Sequence, residues 1–467
     1  MKSRAHFWIL ISAGLWVSCA TYYQSNQAFN QEFEQGNLSN ALSTLQADGR
    51  EAKGKREFLY YVNNGLILSL MGKYDESNEY FEKAFLFGED YRKNYLNEAA
   101  SYLTNPMITT YKGEDHEHLM LLYYKAVNFL KMGRSEEALV ECRRLNIRLQ
   151  QFSDRYENEN KFQRDAFIHV LMGIIYDHDK DYNNAFIAYR NAWEIYETDY
   201  ERLFRTHAPE QLKLDLLRTA TLSGLTEEFN SYKEKFNLPD YEYRSRDTGE
   251  LIFFWHNGLS PIKTEWGINF VIDRRGDMVY FYNQELGISF PFSLQGYDDR
   301  EKNSLNNLEF FRVALPRYLE RPQYYHQGNL ILPDTTYSLN LLEDVNQIAF
   351  KSLQQRMHLE LSKALLRVAL KKAVEHQIKQ EDRTLGSVLG MINVITEKAD
   401  TRNWQTLPHS IYYARVALPA GQTEVTLELT GPGSDVHRHQ FTYQVAPGQV
   451  LFHTFSSLES RYVNFGY

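Results

Sequence analysis

One short pattern recurs along the first half of the chain and constrains its fold more than any other feature. A turn residue is followed two positions on by an apolar or aromatic residue, and three positions after that by a small one. It reads Gly36-Asn37-Leu38-Ser39-Asn40-Ala41, then Gly72-Lys73-Tyr74-Asp75-Glu76-Ser77, then Gly133-Arg134-Ser135-Glu136-Glu137-Ala138. Lys180-Asp181-Tyr182-Asn183-Asn184-Ala185 is a fourth copy and Gly224-Leu225-Thr226-Glu227-Glu228-Phe229 a weaker fifth. Each lies between two stretches with helical spacing. Around the fourth, His169, Met172, Gly173 and Tyr176 precede the turn, and Ala185, Tyr189 and Ala192 follow it. Glycine takes the left-handed conformation that ends the first helix, and small residues let the second pack closely against it. The turns are 36, 61, 47 and 44 residues apart, and the long gap, about residues 85 to 117, has room for an extra helix and a loop.

These positions resemble the tetratricopeptide consensus. Gly65, Gly72, Ser77, Phe81 and Ala84 fit it in the second copy, Ala126, Phe129, Gly133 and Ala138 in the third, and Gly173, Tyr176, Ala185, Tyr189 and Ala192 in the fourth. The resemblance implies an α-solenoid over roughly residues 22 to 236, with a generic helical bundle as the alternative. Cys142 falls within a repeat, where it reads as a small buried hydrophobe.

The N-terminus has the layout of a secretory leader. Lys2 and Arg4 precede an apolar stretch from Phe7 to Val17 that is too short to span a bilayer. Leu15-Trp16-Val17-Ser18-Cys19 resembles a bacterial lipobox, although Trp16 stands where leucine is usual. That resemblance implies lipid on Cys19, with Ala20 after it pointing to the outer membrane. The alternative is an ordinary cleaved leader with a coincidental cysteine. Cys19 and Cys142 are the two cysteines, so an acylated Cys19 leaves Cys142 without a disulfide partner. With 43% apolar and 24% charged residues the chain has material for several cores, and a net charge of −9 makes it a poor partner for nucleic acid.

After about residue 248 the periodicity changes. Leu251 to His256 reads as a buried strand, and Phe270–Asp273 with Met278–Tyr282 as a hairpin about Arg274-Arg275-Gly276-Asp277. The stretch from about 290 to 340 reads as loop with short strands. A helical stripe from about 345 to 379 (Ile348, Leu353, Met357, Leu361, Ala364, Leu365, Val368) would be about 50 Å long. Leu385 to Ile392, with a Gly-x-x-x-Gly spacing, reads as a short helix packed on it, with a dip into a membrane as the alternative. The last 60 or so residues read as antiparallel strands: Ile411–Leu418, Glu424–Leu429, and a further pair, Gln440–Val445 with Gln449–Phe455, about Pro447-Gly448. The expected class is therefore α+β and multidomain. A leader covers 1–18 and the helical repeats 19–240. A mixed strand region with the long helix covers 241–400, and a β-sandwich-like domain 401–467.

Beyond these classes, Tyr111-Lys112-Gly113-Glu114, Leu121 to Leu130, Glu141-Cys142-Arg143-Arg144, Asn257 to Lys263 and Ala399-Asp400-Thr401-Arg402-Asn403-Trp404-Gln405-Thr406-Leu407-Pro408 resemble an uncharacterised family of bacterial lipoproteins with tetratricopeptide-like repeats. The resemblance implies a place in the cell envelope and no assigned activity.

Motifs that carry chemistry are missing. No phosphate-binding glycine loop, nucleophile elbow or His-Glu-x-x-His occurs. His437 and His439 share a strand face and read as an exposed edge, with metal ligation as the alternative; His116-Glu117-His118 opens a helix, and Asp177-His178-Asp179 sits at a turn where solvated residues are expected. Asp400, Arg402 and Trp404 form the densest polar constellation. Strand alternation would put all three on one face, either as a binding cluster or as an Asp400–Arg402 pair closing a boundary around Trp404. The expected function is a non-catalytic, cofactor-free and metal-free scaffold. It would be lipid-anchored at the outer membrane, face the periplasm and bind envelope proteins through its helical-repeat surface. A glycan- or peptidoglycan-binding lipoprotein is the alternative.

Overall fold

The computed structural model describes residues 21–49, 52–93, 109–153, 164–243, 248–276, 278–283, 288–293, 310–357, 360–361, 364 and 398–460. Cys19 and the Gly-x-x-x-Gly segment lie outside the described residues.

Among the described residues, ten helices form five antiparallel pairs: α1 (Gln27–Glu34) with α2 (Leu38–Ala47), α3 (Glu57–Leu70) with α4 (Tyr74–Lys93), α5 (Asp115–Lys131) with α6 (Ser135–Ser153), α7 (Ala166–His178) with α8 (Tyr182–Ile195), and α9 (Glu210–Leu222) with α10 (Thr226–Lys235). The turn between partners is the same each time. Its first residue has positive φ: Gly36 (75°), Gly72 (76°), Gly133 (71°), Lys180 (62°) and Gly224 (70°). The next N–H reaches back to a carbonyl of the preceding helix, as in Lys73 to Leu68 (2.9 Å), Arg134 to Phe129 (2.8 Å) and Asp181 to Tyr176 (2.9 Å). This Schellman closure satisfies carbonyls that the helix end leaves open. Close packing within a pair depends on the predicted small residues: a Cβ on Gly65 would lie 2.7 Å from the Phe81 ring, and one on Gly173 would collide with Tyr189.

The first helix of each pair is more buried than its partner. In α5, 14 of 17 residues are buried, which one-sided packing on α6 does not explain. The second cover is a β-sandwich. One sheet runs β12 (Val450–Ser457), β1 (Thr248–Asn257), β9 (Ser410–Pro419), β8 (Asn340–Asp344). The other runs β11 (Val436–Val445), β10 (Gly421–Thr430), β6 (Gln327–Ile331), β7 (Thr336–Ser338). Leu251, Phe253 and Trp255 of β1, with Val416 and Leu418 of β9, meet Leu330, Val425, Leu427 and Leu429 between the sheets. The alternate residues Ile252, Phe254, Ile411 and Tyr413 belong to the core shared with the helices. The continuous apolar run of β1 is thus required by burial on both faces.

A third sheet, β4 (Ile288–Ser293), β3 (Met278–Asn283), β2 (Ile262–Arg275), β5 (Phe310–Leu319), lays Ile268, Phe270, Phe281 and Val313 on Leu361 and Ala364. The helix leading there is described from 345 to 357.

Three expectations need correction. A boundary at residue 400 does not separate two β units, because β1 lies between β9 and β12, and β6 pairs with β10. The sandwich is not wholly antiparallel, since β12 runs parallel to β1. The strands either side of Pro447-Gly448 are not a hairpin pair: β11 bonds β10 in one sheet and β12 bonds β1 in the other. The cause is common to all three. The last 60 residues by themselves would leave the inner faces of β9 and β10 half-covered, and β1 and β6 complete them.

The turn chemistry gives a direct test. A lysine in the left-handed region carries a Cβ penalty that glycine avoids. Lys180→Gly should raise the free energy of unfolding by ~0.5–1 kcal/mol in urea titration, whereas Gly173→Ala should lower it by ~1–3 kcal/mol through overpacking. A stabilising Gly173→Ala would contradict the close helix approach.

Candidate functional site

Each first helix places a buried polar residue against the segments that cover it: Asn30 on α1, Asn63 on α3, Glu117 on α5, Asp177 on α7 and Asp215 on α9. Buried polar groups require partners, and here the chain supplies them itself. The segment before β9 threads along the inner face of these helices, and every residue from Thr401 to Ser410 is buried. Gln405 Nε2 donates to Asn30 Oδ1 (2.7 Å) and Thr406 Oγ1 to Asn63 Oδ1 (2.7 Å). The Trp404 backbone N–H donates to Glu117 Oε1 (2.5 Å). Glu117 also accepts from the Tyr111 hydroxyl (2.8 Å) and the Glu114 N–H (2.9 Å). Burial and the neighbouring Glu114 push the Glu117 carboxyl up to about 7, against those three donors.

The three residues singled out in the sequence have distinct places. They do not lie on a strand. Arg402 is fully buried and grips Asp400 through Nε (2.9 Å) and Nη2 (2.8 Å). Its Nη1 donates to the carbonyls of Lys55 (2.9 Å) and Thr109 (2.8 Å), and its guanidinium lies 5.2 Å from the Tyr111 ring centre. Trp404 points elsewhere, between Phe81 and Tyr124 at ring separations of 6.0 and 6.2 Å. The constellation therefore binds the chain's own backbone. Arg321 completes it, donating to the Ser260 carbonyl (2.7 Å) and the Gln405 carbonyl and pairing with Glu34 (2.8 Å).

The last two inner-face acids meet strand β9. Arg415 pairs with Asp177 (2.8 Å), Asp215 (2.8 Å) and Glu250 (2.5 Å), while Arg218 also pairs with Asp177. The Tyr413 hydroxyl donates to Asp215 (2.9 Å). Burial opposes ionisation of Asp177, but the Arg415 and Arg218 guanidiniums outweigh it and hold its pKa below the usual value. Asp177 is thus not the solvated turn residue its sequence context suggests. Nearby, His256 Nε2 shares a hydrogen bond of 2.7 Å with the Tyr123 hydroxyl, and burial lowers its pKa to about 3. Cys142 is fully buried, which pushes its thiol up and away from reactivity.

Among the described residues no cluster of three or more His, Cys, Asp or Glu side chains could hold a metal ion, and no helix is long and apolar enough to cross a membrane. His437 pairs with Asp435 (3.0 Å) and His439 packs on Phe455 with ring centres 4.6 Å apart. Asn30, Asn63 and Arg321 escaped the sequence reading. Asn63 left a signal, the polar pair Asn63-Asn64 inside the apolar helical run between Val62 and Leu66, whereas Asn30 sits in a largely polar helix and Arg321 in the loop after β5.

No protein-family model and no curated protein matches the chain. Among solved structures, MamA from Desulfovibrio magneticus is 17% identical, over 46% of this chain and 95% of that one, with a TM-score of 0.28. A tetratricopeptide repeat protein from Parabacteroides merdae is 16% identical over 46% of this chain and 66% of that one, with a TM-score of 0.29. BtubC from P. vanneervenii is 14% identical over 48% and 80%, also at 0.29. At these scores the repeat assignment rests on the chain's own turns and close approaches.

Removing Arg415 leaves two buried carboxylates short of a cation, so Arg415→Met should cost ~3–5 kcal/mol in chemical denaturation. A loss under 1 kcal/mol would mean that the network is not buried as described. For His256 the folded pKa lies below the usual 6.5. Its contribution is therefore present above pH 6.5 and is lost as the pH falls toward 3. Unfolding followed at pH 7 and pH 5 should show His256→Gln losing up to ~1.4 kcal/mol per pH unit of acid sensitivity relative to the parent.

Proposed function

We propose that the chain is a non-catalytic, protein-binding scaffold of the bacterial envelope, anchored by lipid on Cys19 at the outer membrane and facing the periplasm. On this reading it belongs to the uncharacterised lipoprotein family that its 399–408 segment resembles. The observation that carries the scaffold reading is the filled inner face. The helical repeats and the sandwich are joined by hydrogen bonds and ion pairs that occupy Asn30, Asn63, Glu117, Asp177 and Asp215, and among the described residues no open constellation of reactive side chains is left there. Partners would meet the outer helices, where Val140 and Ile147 of α6 are 43% and 56% exposed, and the sheet edges.

The anchor would be short. Thr21 caps the helical turn Tyr22–Ser25 and the Tyr22 N–H donates to Thr401 Oγ1 (3.1 Å). Three residues from Cys19 the chain is already pinned to the inner segment, so about 10 Å of chain would separate lipid from folded protein. Such a body rests against the membrane surface instead of swinging from a linker.

Glycan binding is a second reading, favoured by a polar cleft of about 710 Å³ lined by Tyr23, Gln24, Gln27, Gln31 and Tyr324. Amides and tyrosines suit sugar hydroxyls and ring faces.

Radiolabelled palmitate should mark the parent chain and not Cys19→Ser, and the variant should leave the membrane fraction. An unlabelled parent removes the anchor. Photo-crosslinkers at Val140 and Ile147 in intact cells should capture a specific envelope protein. Co-sedimentation with peptidoglycan in place of such capture would favour the second reading.

A further inference from the structure

Among the described residues, strand β12 is the outermost strand of its sheet, with β1 on one side and no strand on the other. In a parallel pair, alternate residues aim their backbone groups at the neighbour. The bonds from Glu250 N–H to the Gln449 carbonyl (2.8 Å) and from Gly258 N–H to the Ser457 carbonyl (2.9 Å) fix that alternation. Leu451, His453 and Phe455 therefore face β1, and Phe452, Thr454 and Ser456 turn their N–H and C=O groups to the open edge. Such an edge templates another strand unless proline, lysine or a bulge blunts it, and the strand sequence Val-Leu-Phe-His-Thr-Phe-Ser-Ser carries none of these.

This edge borders a cleft of about 660 Å³ whose opposite wall includes the Ser69–Gly72 turn, Tyr74 and Lys131. Lys131, at the end of α5, bonds Thr454 Oγ1 and lies 5.2 Å from the Tyr74 ring centre. Among the described residues it has no carboxylate partner, and the cleft is lined by no Asp or Glu. Burial moves the Lys131 ammonium down to about 8, so it stays largely charged at neutral pH. Its neighbours His256 and His453 are held neutral by burial, at about 3 and about 4. A half-desolvated cation without a counter-charge thus stands beside three residues of unpaired strand edge.

We propose that the open edge of β12 accepts an extended segment of a partner protein as an added strand, with an aspartate or glutamate of that segment pairing with Lys131. The proposal rests on the scaffold reading and names the class of partner. Main-chain bonds at Phe452, Thr454 and Ser456 supply attachment, and the carboxylate supplies selectivity. Repeats at about 6.6 Å along the edge match every second residue of the incoming strand.

The test selects random pentapeptides against the full chain. The expected result is one fixed acidic position and at least a tenfold loss of affinity in Lys131→Met. Thr454→Pro removes an edge-facing N–H, which edge strands tolerate, together with the hydroxyl that Lys131 bonds; it should cause a similar loss with unchanged thermal melting, whereas Thr454→Val, which removes the hydroxyl alone, should not. Should the proline variant unfold, N-methylation of alternate amides in the selected peptide provides the same readout on the unaltered protein. No enrichment, enrichment without an acidic position, or binding that survives Lys131→Met or blocking of the strand edge overturns the proposal. Crosslinking from Val140 and Ile147 repeated in Lys131→Met separates the two readings: a partner still captured there leaves the scaffold standing while the edge proposal falls.

Discussion

Strand β1 and the turn after it have no solvent face, since every residue from Leu251 to Thr264 is buried. This single constraint organises the rest. One side of β1 needs the opposing sheet, which draws in β6, β10 and β11. The other side needs the first helices of the repeats, which are left with an inner face that only a sheet can cover. Burial at ~25 cal/mol per Å² of apolar surface makes this shared core the main source of cohesion between the two halves of the chain.

Hydrophobic contact is indifferent to register, and here the polar residues set it. Asn30, Asn63 and Glu117 each take one group of the 404–406 segment, and Asp177 and Asp215 take Arg415. Buried ion pairs add little net stability because desolvation offsets their attraction, yet a mismatched partner is expensive. A shift of the segment by one residue would strand several of these groups at once. The five inner-face residues therefore act as a key that admits one alignment of sheet on helices.

The same arrangement redirects any binding role. A helical-repeat array usually offers its inner surface to partners, and in this chain that surface already holds a non-strand segment of its own, 401–409. Among the described residues, what stays open is the outer face of the second helices, the exposed side of the third sheet, and the β12 edge beside Lys131.

Much of the helical half was legible from the sequence. Gly36, Gly72, Gly133 and Gly224 mark turns because their conformation is local, and even Lys180 is found by its context. The β1 strand and the hairpin about Gly276 are equally local. The pairing of β12 with β1 spans about 200 residues, and nothing in alternation says which sheet a strand joins. Asp400, Arg402 and Trp404 stood out as a cluster, but their partners, Lys55, Thr109, Glu117 and Phe81, lie hundreds of residues away. Period and turn chemistry, which depend on near neighbours, fixed the secondary structure. Which face is covered, and by what, depends on contacts between distant segments, and only the tertiary structure decided it.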